Sequence, residues 1–131
     1  MGNMKLTAQI AYAYEALLDI AERFGDKAPV NLHDISERHK IPEKYLLQVM
    51  VKLKHRGFVS SRRGSGGGFQ LAIPPSEITL ADIVRTLTGN NAAAGDNPKS
   101  ALPIIWRKAN AAFLKELEGH TLGNLLESRK A

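Results

Sequence analysis

Residues Arg62 to Phe69 read Arg-Arg-Gly-Ser-Gly-Gly-Gly-Phe, and they follow directly on a helix-turn-helix pattern. That order constrains the fold more than any other feature of the chain. Glycine accepts positive φ and carries no Cβ, so such a loop turns tightly between two strands and presses into a groove. Two adjacent guanidinium groups beside it suit a polyanion. A basic loop attached to a helix-turn-helix is a wing, and the natural partner of a wing is double-stranded DNA.

The charge distribution agrees. Between Lys40 and Arg63 lie seven cations (Lys40, Lys44, Lys52, Lys54, Arg56, Arg62 and Arg63) against one anion, Glu43. That segment is therefore +6, which leaves −1 for the rest of a chain whose net charge is +5. A merely solvated basic face is the bland alternative, but the whole excess falls on the segment that carries the motif.

At 131 residues and 44% hydrophobic composition, one domain's core is within reach. No apolar run is long enough for a membrane span and no signal-peptide pattern opens the chain, so a cytoplasmic location is expected. Met1-Gly2 suggests myristoylation, but Leu6 stands where that motif wants Ser or Thr. With no cysteine there is no disulfide, thiolate–zinc site or cysteine-ligated cluster. The four histidines, His33, His39, His55 and His120, are scattered, and no cofactor or metal site is expected. No nucleophile–base set or carboxylate pair suggests an enzyme.

Periodicity organises the remainder. Leu6, Ile10, Ala13, Leu17, Ile20 and Phe24 recur at helical steps, predicting a first helix over Leu6 to Phe24 with that stripe inward. Asn31 is suited to cap a short helix, Leu32 to His39, with Ile35 facing the core. Lys40-Ile41 forms a turn, and Pro42 fits the first position of the next helix, Pro42 to Arg56. Leu46, Val49, Met50 and Leu53 form its buried stripe, and Gly57 ends it. This is the candidate recognition helix, whose first-turn residues Glu43, Lys44, Tyr45, Leu47 and Gln48 are placed to reach base edges. For Tyr45 a half-buried packing role stands beside the base contact.

Phe58 to Ser61 and Phe69 to Ile73 read as the strands of the wing hairpin. A nucleotide-binding loop is the rival for these glycines, but neither phosphate-loop pattern is present and the loop leads into a strand. The candidate DNA-contacting set is thus Lys44, Tyr45, Gln48 and Lys52 on the helix with Ser60, Ser61, Arg62, Arg63, Gly66 and Gly67 on the wing.

After Pro74-Pro75, Thr79 and Asp82 form a capping pattern for a helix ending near Thr88-Gly89. A polar loop follows to about Ser100. Pro103 opens a long helix to about Glu118, with Trp106, Asn110, Phe113 and Leu117 along one side and Ile105, Ala109 and Ala112 beside them. A face this broad suits a second copy, so Ile105, Trp106, Ala109, Ala112, Phe113 and Leu117 are the candidate dimerisation residues; ordinary intrachain core is the alternative. Thr121 caps a last helix, Leu122 to Ser128, and Arg129 to Ala131 are expected to fray. The fold class is mainly α with a small β-hairpin wing (α+β): a winged helix-turn-helix over 1–88, a loop over 89–101, and a long dimerisation helix with a short C-terminal helix over 102–131.

Several of these runs resemble the Rrf2 family of bacterial winged-helix transcription regulators. The residues that carry the resemblance are Lys5-Leu6-Thr7, Tyr12-Ala13, Asp34-Ile35-Ser36-Glu37-Arg38, Tyr45-Leu46, the run Gly57 to Phe69, and Ile78-Thr79-Leu80-Ala81-Asp82-Ile83-Val84 closed by Gly89. Trp106 and Thr121-Leu122 extend it more loosely. The resemblance implies a homodimer on a roughly palindromic operator, Lys44 and Tyr45 as early base readers, and Arg63 as the wing arginine of the minor groove. Leu47 stands where cluster-bearing relatives often have an acidic reader, which implies a different operator, and Gln9-Ile10 replace a common Lys-Gly. Those relatives carry three cysteines in the loop that here is Gly89 to Ser100; this loop has no cysteine, no histidine and one carboxylate, Asp96. The family's redox chemistry therefore does not carry over. The cluster-less branch implies a metabolite or partner-enzyme effector. A winged protein-interaction module that has lost DNA binding is the second function consistent with these residues.

Overall fold

In the computed structural model, residues 6–25, 28–64, 66–88 and 101–130 are described. Within them the chain runs α1 (Ala8–Ala21), α2 (Leu32–His39), α3 (Glu43–His55), β1 (Val59–Arg62), β2 (Gly68–Leu71), a 3₁₀ turn (Pro75–Glu77), α4 (Leu80–Thr88), α5 (Leu102–Glu118) and α6 (Leu122–Lys130). The architecture is mainly helical with one antiparallel hairpin, as the sequence pattern predicts.

The first helix is shorter than its apolar stripe. Thr7 takes the N-cap, its hydroxyl accepting from the Ile10 amide at 3.2 Å, so Leu6 precedes the helix and is 75% exposed. At the other end the amides of Arg23 and Phe24 reach back only three residues, to Ile20 and Ala21. That tighter winding rotates Phe24 off the core side, and it is 46% exposed. The middle of the stripe behaves as expected, with Ile10, Ala13, Leu17 and Ile20 buried.

Helices α1, α2, α3 and α4 enclose one core in which Leu17, Ile35, Leu46, Met50, Leu53 and Ile83 are sealed from solvent. The four residues that α3 buries are Leu46, Val49, Met50 and Leu53, the stripe read from the sequence. At about 1.5–3 kcal/mol each they hold this helix to the core by roughly 6–12 kcal/mol before ordering costs. Pro42 stands one residue earlier than expected, as the N-cap, with an extended ψ of 129° that keeps it out of the first turn.

The hairpin pairs Val59 with Leu71 and Arg62 with Gly68. Both strands are displaced from the expected bounds. Phe58 belongs to the end of α3, because its amide reaches back to the Leu53 carbonyl at 3.0 Å across Gly57, which closes the helix with φ of 84°. Gly68 begins β2 because Val30 joins the hairpin as a third, one-residue strand: Val30 and Phe69 exchange backbone hydrogen bonds at 2.7 and 2.8 Å. A Cβ at Gly68 would lie 2.3 Å from the Val30 carbonyl oxygen, so only glycine permits this approach.

Capping at α4 follows the expected reciprocal pattern. The Thr79 amide donates to the Asp82 carboxylate at 2.9 Å, and the Asp82 amide donates to the Thr79 hydroxyl at 3.0 Å. The backbone around Thr79 also pairs with that around Thr121: the Leu80 amide meets the His120 carbonyl, and the Leu122 amide meets the Ile78 carbonyl, each at 2.9 Å. Helix α6 continues to Lys130, past the expected frayed end, and Arg129 approaches Glu22 at 3.5 Å. The loop expected over Gly89 to Ser100 lies outside the described residues.

Candidate nucleic-acid interface

Helices α2 and α3 are joined by a turn that the sequence only partly announces. Lys40 adopts the left-handed conformation (φ 56°, ψ 43°), the one non-glycine residue among those described to do so. Its neighbours hold it there. Ile41 is buried, its amide donates to the Ser36 carbonyl at 3.1 Å, and the Ser36 hydroxyl donates to the Ile41 carbonyl at 2.6 Å. Across the turn the His33 ring lies 3.3 Å from the Glu43 carboxylate and 3.5 Å from Glu37. The hydrogen-bonded Glu43 carboxylate raises the His33 imidazole above its ordinary value.

With its apolar stripe spent on the core, α3 turns its remaining residues to solvent. Lys44, Tyr45, Gln48 and Lys52 are all exposed, Tyr45 to 54%. An aromatic this open is not a packing residue. Leu47 (47%) and Val51 (55%) are open as well, one helical turn apart.

The wing stands beside this helix. Ser61, Arg62 and Arg63 are exposed and Ser60 is half-buried. The tip closes through the Gly67 amide donating to the Gly64 carbonyl at 2.9 Å. Gly66 is at φ 78°, and a Cβ on Gly67 would fall 2.3 Å from the Arg62 carbonyl oxygen, so side chains are excluded where the tip folds back.

Two features escape the sequence reading. Lys54 donates to the Ser61 hydroxyl at 2.7 Å, which bridges the recognition helix to the wing and sets an ammonium in the angle between them. A lysine at the end of that helix seven residues before a wing serine is a signal only once the hairpin register is known. The second is Asp19 of α1, 4% exposed. Its carboxylate accepts from Arg38 Nε and Nη2 at 2.8 Å each, from Arg23 Nη1 at 3.0 Å and from His39 Nε2 at 2.7 Å. Burial alone would raise the Asp19 carboxyl, but the hydrogen bonds and charges of Arg38 and His39 outweigh it and hold the group below its ordinary value. This clamp fastens α2 to α1. The sequence hides it, because an aspartate among Leu17, Leu18 and Ile20 reads as the polar side of a helix.

All seven cations between Lys40 and Arg63 are exposed. Among the described residues, ion pairs draw instead on Arg23, Arg38, Arg85 and Arg129. The segment of highest positive charge is therefore left uncompensated, and it coincides with the exposed face of α3 and the wing. Such an arrangement neutralises phosphates on both sides of a groove.

Comparison with known proteins gives the same answer from a different direction. The Rrf2 family model, described as iron-dependent transcriptional regulator, matches residues 6–128. The chain belongs to the Rrf2 family. It is 46% identical to a helix-turn-helix-type transcriptional regulator of Haemophilus influenzae, over 96% of this chain and 89% of that protein. It is 34% identical to the transcriptional regulator IscR of Aliivibrio salmonicida, over 94% and 77% respectively. Among solved structures it resembles T. potens IscR (TM-score 0.78, 34% identity, 95% of this chain and 88% of that one). It equally resembles CymR, the global cysteine regulator of B. subtilis (TM-score 0.78, 28% identity, 95% and 97%). Members of this family are DNA-binding transcriptional regulators with the winged-helix fold, so this chain is one.

The iron in the family's description does not fit the residues present. The sequence offers no thiolate, and the segment Gly89 to Ser100 contributes one carboxylate and no imidazole. Among the described residues no three of His, Cys, Asp and Glu converge, and no helix is long and apolar enough to cross a membrane.

The candidate dimerisation residues divide. Ile105 and Trp106 are 58% and 42% exposed, alongside Leu102 (64%) and Ile104 (51%), and Ala112 is exposed too. Phe113 and Leu117 lie two and three turns further along the side of α5 that carries Trp106 and pack against the chain's own core, with Ala109 half-buried between the open and the packed stretch. The broad face expected from the sequence is thus divided along its length, its C-terminal part used within the chain and its N-terminal part open.

Proposed function

We propose that this regulator binds a palindromic operator as a homodimer, acts as a repressor, and answers to a metabolite or a partner enzyme in place of an iron–sulfur cluster. The observation that carries the reading is the uncompensated cationic surface shared by α3 and the wing. Lys44, Tyr45 and Gln48 open the recognition helix and read major-groove edges, with Lys52 on the backbone. Arg62, Arg63 and the Gly66–Gly67 tip serve the minor groove, and Ser60 and Ser61 flank them on the first wing strand. The open apolar end of α5, from Leu102 to Trp106, supports association with a second copy. Repression follows from a dimer that covers its operator and excludes other proteins. The effector is assigned by subtraction, since a chain without cysteine holds no thiolate-bound cluster.

A second reading has its own support. Leu47 and Val51 form an apolar spot on the recognition helix, which suits a protein partner as well as thymine methyl groups. Salt separates the two. On a duplex selected from a random pool, affinity should fall by about 10³-fold or more between 50 and 200 mM salt. Arg63→Ala should cost about 1–3 kcal/mol of binding. A flat salt dependence, undiminished binding by Arg63→Ala, or monomers alone in sedimentation would refute the proposal.

A further inference from the structure

Beside the face of α1 that carries the Asp19 clamp, α1, α4, α5 and α6 leave a cavity of about 570 Å³ open to solvent at one side. Its walls include Ile10 of α1, Leu80, Ile83 and Val84 of α4, Phe113 of α5 and Leu125 of α6. Among the described lining residues, only Tyr14 and Glu15 bring a polar group. The volume lies within the range of small-molecule sites, and an apolar chamber with a few polar groups on its wall is their usual composition. Glu15 decides the kind of ligand. A carboxylate at the edge of an otherwise uncharged apolar chamber complements a cation and repels an anion.

Glu15 has a second contact. Its carboxylate lies 3.5 Å from His39 Nδ1, and the other nitrogen of that ring donates to Asp19 at 2.7 Å. The wall of the cavity thus touches the clamp that fastens α2, the first helix of the helix-turn-helix, to α1.

We infer that this cavity is an effector site for a small apolar amine, whose hydrocarbon body fills the chamber and whose ammonium pairs with Glu15. The inference deepens the effector-responsive reading above and rests on it. A ligand ammonium competes with His39 for the Glu15 carboxylate and so loosens the α1–α2 fastening. Ligand binding and operator binding then oppose each other, by the same factor in both directions.

Three probes of one size test the site: 2-phenylethylamine, 2-phenylethanol and 3-phenylpropionate, titrated into the full chain without DNA and followed by NMR. The amine should saturate, and bind about fivefold more tightly than the alcohol, the scale of a partly exposed ion pair. The carboxylate should bind more weakly than either. Glu15→Gln should erase the amine's advantage while leaving the alcohol's affinity unchanged, and Ala11→Phe, which adds a ring at a wall residue, should narrow the chamber and weaken binding of both. Saturating amine should then weaken operator binding by a factor of up to about five. Equal affinity for all three probes, or binding that Ala11→Phe leaves undiminished, would overturn the site. No probe binding combined with a dimer that Ala11→Phe splits would overturn it in favour of a second copy as the occupant. Amine binding that leaves operator affinity unchanged overturns the coupling alone. A protein that binds the amine but no duplex refutes the DNA reading and leaves the cavity assignment standing.

Discussion

Replacing Arg38 with alanine removes two of the four hydrogen bonds that reach the Asp19 carboxylate, both of them 2.8 Å long. Breaking a buried pair by deleting one partner costs about 3–5 kcal/mol when the remaining charge is stranded. Asp19 is not wholly stranded, because Arg23 and His39 stay at 3.0 and 2.7 Å. Arg38 is itself 41% exposed, which weakens its share. The expected loss is therefore about 2–3 kcal/mol, near that of hydrogen bonds to a charged group. For a chain of this length that lowers Tm by roughly 8–12 °C. Urea or thermal unfolding of the parent, Arg38→Ala, Asp19→Ala and the double variant measures both the loss and the coupling. The cycle should close with a coupling of about 1.5–3 kcal/mol. Arg38→Lys should recover less than half, since an ammonium cannot reproduce the two-pronged contact. A loss under about 0.5 kcal/mol, typical of a surface substitution, or a coupling indistinguishable from zero would refute the clamp.

The clamp also has a pH signature. Because the folded state holds Asp19 below its ordinary value of 3.8, the stabilisation is complete above that value and drains away as pH falls through the lower folded value. The stability gap between the parent and Asp19→Asn should thus be constant from neutral pH to about pH 5 and narrow below pH 4; a gap that narrows on the alkaline side would contradict this. Tyr45→Ala should relax base preference at one or two positions of each half-site while Tm moves by only a few degrees, as checked by sequence selection and melting on one preparation; a large Tm loss with unchanged preference would return Tyr45 to a packing role. Gly68→Ala should cost more than about 2 kcal/mol in unfolding experiments, because its Cβ meets the Val30 carbonyl; a neutral result would show that the second wing strand is not seated on Val30.

Much of this was legible in the residue order, and the exceptions share a cause. The buried stripe of α3, the caps at Asn31, Thr79 and Thr121, and the hairpin's position all follow from local periodicity and turn chemistry. The misjudged ends of α1 follow from the limits of the same signal: Leu6 and Phe24 continue the stripe in sequence, but the Thr7 cap and the tight last turn end the helix inside them. Asp19, Lys54 and Glu15 acquire meaning only from neighbours on other elements, at separations of 7 to 20 residues in the clamp and bridge contacts. The packed and open parts of α5 could not be told apart for that reason either, since apolar residues that meet the chain's own core and those left open look alike in one dimension.

The wing is tied down at two places: its second strand, close to the tip, to Val30 just ahead of α2, and its first strand to α3 through Lys54 and Ser61. Helix and wing are thereby presented at a separation that the protein cannot readily adjust. When a stiff reader meets a duplex, the duplex is the compliant member, and it must bend or change groove width until both contacts close at once. The elastic energy of that adjustment depends on base steps that no side chain touches. Operator preference for this regulator is accordingly expected to extend to the base pairs lying between the helix and wing contacts, where flexible pyrimidine–purine steps would be favoured with nothing reading them directly.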